Sequence, residues 1–312
     1  MILHSYAKLN LYLEVRNIRH DQYHNIKTIF ERIDLSDKII LKPRRDKKIK
    51  IICSSPEVPQ DHTNLAYQSA RLLQESFNID TGVDIKITKR IPVGAGLGGG
   101  SSNAAAVLLG LNKFWRLHLK QEELLMYAKR LGCDVPFFIY DTSLAQGLAR
   151  GDRIKPLKMP KNLRLWHILV IPKINISSAR IYREWDSLGS LELTPHLYRY
   201  SKKNNKNEFD KGAGLTKPRC NANILLSALR KFNLARAGEA LFNSLEQVTP
   251  KLYPAIIRIK EKLRQGGIKA ILMSGSGPAV FGLVSSRREA QALCRQLKAE
   301  SGFWQVFVTR TR

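Results

Sequence analysis

The residue pattern best suited to chemistry is a run of glycines and serines in the first third of the chain. It reads Gly94-Ala95-Gly96-Leu97-Gly98-Gly99-Gly100-Ser101-Ser102. Glycine has no Cβ and accepts positive φ, so such a run can bring its backbone N–H groups close to a ligand. Apolar residues at helical spacing follow it (Ala104, Val107, Leu108, Leu111), which predicts a strand–loop–helix unit. Because a helix N-terminus attracts anions, we predict a phosphate site; a flexible serine-capped turn is the alternative.

The glycine run alone does not identify the phosphate ligand. Gly94, Gly96 and Gly99 satisfy GxGxxG, which is a weak signal. The acids about 20 residues later fall in a predicted helix, whereas a dinucleotide fold needs an acid at the end of a strand. The chain has no Gly-Lys dipeptide, which excludes a Walker A loop, and it lacks the protein-kinase signatures.

Two charged residues could complete a phosphoryl-transfer site. Lys8 lies on the polar side of a strand with alternating apolar residues, and Asp134 opens a predicted turn with Val135 and Pro136. Transfer to an alcohol needs a base within hydrogen-bond reach and a cation beside the transferred group. Taken singly, Lys8 fits a solvated strand position and Asp134 a turn position, so their roles depend on the combination of motifs.

That combination resembles the GHMP small-molecule kinases. Five segments carry the resemblance, in the order AKLNL (7–11), YH (23–24), the run from Pro92 to Ser102, DVP (134–136) and MSGSGP (273–278). It is most similar to the branch whose acceptor is a cytidine diphosphate-linked methylerythritol. The resemblance implies an α+β fold of two domains. These are a ribosomal S5 domain 2-like domain over residues 1–158 and a ferredoxin-like domain over residues 159–312.

The resemblance also implies a reaction. The γ-phosphoryl group of ATP would pass to the C2 hydroxyl of 4-diphosphocytidyl-2-C-methyl-D-erythritol, a step of non-mevalonate isoprenoid biosynthesis. Asp134 would take the hydroxyl proton, while Lys8 would orient the hydroxyl and offset developing charge. Mg²⁺ is expected with ATP, but no pair of carboxylates identifies its protein ligand.

Further site residues follow from the same resemblance. The expected ATP and phosphate positions are Asn64, Lys89, Pro92, Gly94, Gly96, Leu97, Gly98, Gly99, Gly100, Ser101 and Ser102. The expected substrate positions are Asn10, Tyr23, His24, Tyr182, Ser274 and Gly275. Tyr23 and His24 would meet the cytosine and Tyr182 would stack on its other side, with ordinary surface or core packing as the alternative. Asn10 would lie near the methylerythritol. The turn at residues 274–277, called the Ser274 turn below, would close the cleft between the two domains from the second domain.

Three segments limit or extend the resemblance. Ala145–Asp152 (AQGLARGD) stands where the family has Gly-x-Gly-Glu, with Ala149 in place of the first glycine. The basic insertion near residues 199–219 has no counterpart and is predicted to be a flexible loop. Asn243–Glu246 matches a family segment to which we assign no chemistry.

Composition bounds the class of protein. The chain has 312 residues, 44% of them hydrophobic, and its apolar stretches are far shorter than a membrane span. No apolar leader opens it, so we expect a cytoplasmic protein that is a monomer or homodimer. Its 52 Lys and Arg against 26 Asp and Glu give a net charge of +26, which attracts polyanions. RNA binding is therefore the alternative from another class, and a mevalonate or homoserine type of GHMP kinase is the alternative within the family.

The periodicity also predicts individual elements. Residues 24–33 and 38–42 are expected as two separate strands. In the second half we expect helices over 221–231, 235–245 and 250–265, then strands over 268–273, 280–284 and 304–309 with a helix at 287–299.

Overall fold

The computed structural model describes residues 1–189, 221–300 and 302–312, so the basic insertion lies outside the described residues. The strands are β1 (Ile2–Ile18), β2 (His24–Arg44), β3 (Ile49–Cys53), β4 (Gly82–Thr88), β5 (Leu144–Leu148), β6 (Arg153–Pro156), β7 (Trp166–Pro172), β8 (Phe242–Asn243), β9 (Ala270–Met273), β10 (Val280–Val284) and β11 (Trp304–Arg310). The helices are α1 (Leu65–Ser76), α2 (Gly99–Phe114), α3 (Gln121–Leu131), α4 (Val135–Ile139), α5 (Ser178–Gly189), α6 (Ala222–Arg230), α7 (Leu234–Glu239), α8 (Thr249–Leu252), α9 (Pro254–Gln265) and α10 (Arg287–Glu300).

The first sheet positions Lys8, which lies on β1, and the glycine run, which lies between β4 and α2. Its strands follow the order β3-β4-β2-β1-β8, and β5 and β6 extend it from β2. Helices α1 to α4 pack on one face, around the apolar stripe of α2 that the sequence predicts. The prediction of two strands over residues 24–42 is wrong, because β2 runs unbroken from His24 to Arg44. A register shift in β1 between Tyr6 and Lys8 lets the two long strands stay paired.

The second sheet is antiparallel with the order β11-β7-β10-β9. Along the chain its elements follow the pattern strand, helices, two strands, helix, strand, which is the ferredoxin-like arrangement. The two sheets with their helices confirm the expected α+β fold.

The two halves share a core and one strand pair. Leu9 and Leu11 of β1 belong to the same buried cluster as Leu169 of β7 and Phe281 of β10. The short β8 from the second half pairs in parallel with β1 at Tyr12 and Leu13. The proposed division near residue 158 falls between β6 and β7 and stays a prediction.

Two helix predictions in the second half are wrong in their extent. The helix expected over 235–245 ends at Glu239, because the following residues pair with β1 and then form a 3₁₀ turn at Ser244–Gln247. The helix expected over 250–265 is interrupted at Tyr253, since Pro254 disfavours helical backbone in the residue before it. Across the described ranges, none of the helices has the length and apolar character that a bilayer crossing requires.

Candidate active site

The glycine run forms a tight loop that ends at the N-terminus of α2. Gly94, Gly96 and Gly98 have φ of 67°, 76° and 68°, a region that residues with a Cβ occupy only with strain. Gly98 is the N-cap of the 16-residue α2 and supplies no side-chain hydrogen bond to its first turn. No side chain therefore caps the first N–H groups of α2, and the phosphate site expected there stays a prediction.

Lys8 and Asp134 lie together beside this loop. Lys8 Nζ is 3.2 Å from Asp134 Oδ2 and donates to Asn10 Oδ1 at 2.7 Å. The Lys8 amide also donates to Leu97 O at 2.9 Å, which ties β1 to the loop. A Cβ on Gly98 would lie 3.0 Å from Lys8 Cγ, so glycine at this position leaves room for the lysine side chain.

Asp134 occupies the N-cap of α4, and the turn expected at Asp134–Pro136 is wrong in part because a short helix begins there. Its carboxylate makes no capping hydrogen bond and is about one-third exposed, whereas the Lys8 side chain is buried. An accessible carboxylate held against a buried ammonium can accept a proton from an incoming hydroxyl.

The Ser274 turn of the second half reaches the same place. Ser274 Oγ accepts from the Asn10 amide at 3.2 Å and donates to Gly96 O at 3.4 Å. A Cβ on Gly275 would lie 3.4 Å from Asn10 Oδ1 and 3.7 Å from Lys8 Nζ. The structure thus brings Ser274, Gly275, Asn10, Lys8 and the glycine loop together.

Two residues that hold this turn were missed as functional by the sequence analysis. Buried Asn243 donates to Met273 O at 2.8 Å and to Gly275 O at 2.7 Å. Glu246 accepts from the Met273 amide and from Lys260, each at 2.7 Å. The match of residues 243–246 to a family segment was the sequence signal for these two residues. Their role in holding the turn depends on β8, which is too short to predict from periodicity.

Two of the residues expected at the cytosine, His24 on β2 and Tyr182 on α5, form an aromatic pair, whereas Tyr23 lies just before β2. His24 is buried, its Nε2 is 2.6 Å from Asp186 Oδ1, and its ring stacks on Tyr182 with centroids 5.1 Å apart. Trp185 meets the His24 ring edge-on at 5.8 Å. Tyr23 is 52% exposed, and the Arg150 guanidinium lies 5.3 Å over its ring. Trp185 and Asp186 were not predicted, because the sequence does not show that α5 packs against His24 of β2.

Tyr182 of this aromatic pair lies within range of the Asp134 charge. Burial raises the pKa of its hydroxyl, and the neighbouring Asp134 carboxylate raises it further. The phenol therefore stays protonated through the physiological range.

Lys89 and Asn64 are engaged in contacts within the protein. Lys89 Nζ forms an ion pair with the fully buried Asp37. Asn64 caps α1 by accepting from the Ala66 amide at 2.9 Å, and its amide donates to Pro59 O at 2.6 Å. Their expected places at the adenine nucleotide stay a prediction.

Ala149, the departure in the segment 145–152, adopts φ of 57°. This is the left-handed region, which explains why glycine suits the position better. Arg150 next to it pairs with Asp152 at 2.8 Å. Within the described ranges, no group of three or more His, Cys, Asp or Glu side chains could hold a metal ion.

Family models match both halves of the chain. The model described as the GHMP kinases N terminal domain matches residues 64–142, and the model described as GHMP kinases C terminal matches residues 225–302. The first match contains the glycine loop and Asp134, and the second contains the Ser274 turn. The chain belongs to the GHMP kinases.

Curated relatives and solved structures agree with this assignment. A Geobacillus sp. (strain WCH70) protein named 4-diphosphocytidyl-2-C-methyl-D-erythritol kinase is 40% identical over 97% of this chain and 94% of its own length. A Gloeobacter violaceus protein of the same name is 37% identical over 99% and 94%. A crystal structure titled 4-(cytidine 5'-diphospho)-2C-methyl-D-erythritol kinase has a TM-score of 0.77, 29% identity and full coverage of both chains. An L. major mevalonate kinase has a TM-score of 0.73 at 16% identity, with 100% of this chain and 96% of that chain covered, and it supports the fold alone.

Proposed function

We propose that this GHMP kinase uses ATP to phosphorylate the C2 hydroxyl of 4-diphosphocytidyl-2-C-methyl-D-erythritol, in non-mevalonate isoprenoid biosynthesis. The name of relatives that are about 40% identical over nearly the full length supports this substrate. The single observation that carries the chemistry is the Lys8–Asp134 pair beside the glycine loop, with Nζ and Oδ2 at 3.2 Å.

The glycine loop would hold the triphosphate. The first-turn N–H groups of α2, which no side chain caps, would bind its oxygens, and Ser101 and Ser102 would add hydroxyl donors. Such a site positions the phosphoryl group and neutralises its charge, which is most of what phosphoryl transfer requires. The cation Lys8, buried against Asn10, stands beside this position.

The acceptor hydroxyl would be placed between this phosphate and Asp134. Its oxygen attacks the γ-phosphorus, the bond from that phosphorus to the β–γ bridging oxygen breaks, and ADP leaves. The proton passes from the hydroxyl to an Asp134 oxygen, while Lys8 stays protonated and offsets the charge on the transferring group. The cytosine would contact Tyr23, His24 and Tyr182, and a base between His24 and Tyr182 would have to part these two rings, which stack directly on each other in the structure.

Magnesium fits this site as a partner of the phosphates. Mg²⁺ keeps several waters and takes few protein oxygens when it binds with a nucleotide, so it does not need a cluster of carboxylates. The partly exposed Ser101 hydroxyl, in the first turn of α2, is the oxygen we propose for it. When bound, the ion would neutralise charge on the β- and γ-phosphates.

A substrate panel tests the proposal. ADP release is measured with Mg²⁺ and ATP in the presence of the cytidylyl substrate, mevalonate or homoserine. We expect turnover with the cytidylyl substrate alone. Turnover with mevalonate or homoserine instead would move the protein elsewhere among the GHMP kinases. Tight RNA binding at physiological salt without kinase turnover would support the RNA-binding alternative.

Substitution of the proposed base tests the mechanism. Asp134→Asn removes the proton acceptor and keeps its size, so kcat should fall by about 10²- to 10⁴-fold. The matched control is Asp141→Asn, which changes a fully exposed carboxylate seven residues away and should leave kcat unchanged. An Asp134→Asn enzyme that retains more than one-tenth of kcat would refute the assignment of the base.

A further inference from the structure

Asp37 on β2 is a fully buried carboxylate outside the catalytic pair. Its Oδ1 accepts from the amides of Arg90 at 2.7 Å and Ile91 at 2.8 Å. Its Oδ2 accepts from Asn103 Nδ2 at 2.9 Å and forms the ion pair with Lys89. A buried charge is tolerated only when it is paired and hydrogen-bonded, and Asp37 meets both conditions.

The four donors lie on both sides of the glycine loop. Lys89, Arg90 and Ile91 come directly before Pro92, and Asn103 lies at the beginning of α2, after the loop. Asn103 also donates to Ser5 Oγ of β1 at 2.6 Å. One carboxylate therefore anchors the start of the loop and the helix that follows it to the same sheet.

This anchoring matters because the loop itself is permissive. Three of its glycines have positive φ, so the loop backbone has little conformational preference of its own. The Lys89 ammonium also lies at the beginning of α2, since a Cβ on Gly99 would be 3.2 Å from Nζ. A cation is unfavourable at the positive end of a helix dipole, and Asp37 offsets that charge.

We propose that Asp37 is a positioning residue for phosphoryl transfer: its carboxylate holds the glycine loop between Ile91 and Asn103 so that the loop amides align the ATP phosphates with Lys8 and Asp134. This inference rests on the proposed function, because it assumes that ATP binds at the loop. Asp37 itself contacts only protein groups among those described, so its effect on ATP is transmitted through the loop.

The variant Asp37→Asn tests the proposal. The oxygen of the new amide can still accept from the backbone of Arg90 and Ile91. Its NH₂ group faces Lys89 and Asn103, which are themselves donors, so the hydrogen bond that ties α2 to β2 is lost. We expect kcat/KM for ATP to fall about 10- to 100-fold, because small misplacements of reacting groups have effects of that order. The KM for the cytidylyl substrate should stay unchanged.

The matched control is Glu31→Gln on the same strand. Glu31 is equally buried and pairs with His167 at 3.0 Å and Thr311 at 2.7 Å, away from the loop. It should lower the unfolding temperature and leave kcat and both KM values unchanged. Kinetics are measured well below the unfolding temperature of each variant, so that loss of folded protein does not imitate loss of alignment.

Two further variants keep the test decisive if Asp37→Asn does not fold. Asn103→Ala removes the hydrogen bonds from α2 to Asp37 and to Ser5, leaves Asp37 bonded to the start of the loop, and should raise the KM for ATP at least about fivefold, as expected for the loss of two hydrogen bonds. Asp37→Glu keeps the charge and should retain more activity than Asp37→Asn. Unchanged KM for ATP and kcat in Asp37→Asn, or in Asn103→Ala if the former is unfolded, would overturn the proposal. An unmodified enzyme without cytidylyl kinase activity would instead overturn the proposed function.

Discussion

Alanine substitution at three glycines of the glycine run distinguishes the effect of backbone strain from the effect of steric overlap with a neighbouring segment. Gly94 has φ of 67°, and its added Cβ would meet nothing closer than 3.7 Å. Gly96 has φ of 76°, and its Cβ would lie 2.6 Å from Ser274 O and 2.9 Å from Gly277 O. Gly100 lies in α2, where a Cβ would make an ordinary 3.8 Å contact with Leu65. The three variants should therefore differ in the sign and size of their effect on stability.

The magnitudes follow from these environments. Left-handed backbone destabilises a protein with alanine at this position by about 1–2 kcal/mol. Alanine also lowers the conformational entropy of the unfolded chain, which stabilises the folded protein by about 0.4–1 kcal/mol. Gly94→Ala should therefore lose about 1 kcal/mol of stability. Gly96→Ala must also displace the Ser274 turn, which threatens the hydrogen bonds Ser274 Oγ–Gly96 O and Ala279 N–Ala95 O. At about 0.5–1.5 kcal/mol each, they bring its total loss to about 2–4 kcal/mol. Gly100→Ala should gain about 0.4–1 kcal/mol, because Gly100 lies in the first turn of α2 without a positive φ and alanine lowers the conformational entropy of the unfolded chain.

Urea unfolding of the three variants gives these differences, and ADP-release kinetics give the functional consequence. We expect Gly96→Ala to lose the most kcat, because displacement of the turn moves Gly275 away from Lys8 and Asn10. Equal losses of stability in Gly94→Ala and Gly96→Ala would refute the argument from close approach. A destabilised Gly100→Ala would refute the argument from the entropy of the unfolded chain.

Two further predictions concern residues near the proposed catalytic pair and the proposed cytosine site. Asp186→Asn removes the charge that orients His24, so the KM for the cytidylyl substrate should rise roughly tenfold while the KM for ATP is unchanged, with Ser187→Ala on the same helix as the control. An unchanged KM for the cytidylyl substrate would contradict the role of Asp186. Burial raises the pKa of the Cys133 thiol to about 11, so the protonated form predominates at neutral pH. Its alkylation by iodoacetamide, followed by mass spectrometry, should quicken about tenfold per pH unit from pH 7 to 10, and a plateau near pH 9 would argue against this burial.

The sequence was sufficient for the parts of the fold that depend on local pattern. The alternation around Lys8, the helical stripe after Ser102 and the crowded glycines each follow from period and residue type, so β1, α2 and the glycine loop directly before α2 were predictable. The family and its two-domain α+β fold followed from the order of the motifs, because that order spans nearly the whole chain.

Contacts between residues far apart in the chain required the tertiary structure. Asn243 reaches the carbonyls of Met273 and Gly275 only because β8 adds to β1, and two residues are too few for periodicity to reveal a strand. Asp37 has the appearance of an ordinary strand residue until β2 and α2 bring Lys89 and Asn103 to its carboxylate. Residue type and spacing thus determined which groups could do chemistry, whereas long-range packing decided which of them meet, since contact depends on distance in space rather than along the chain.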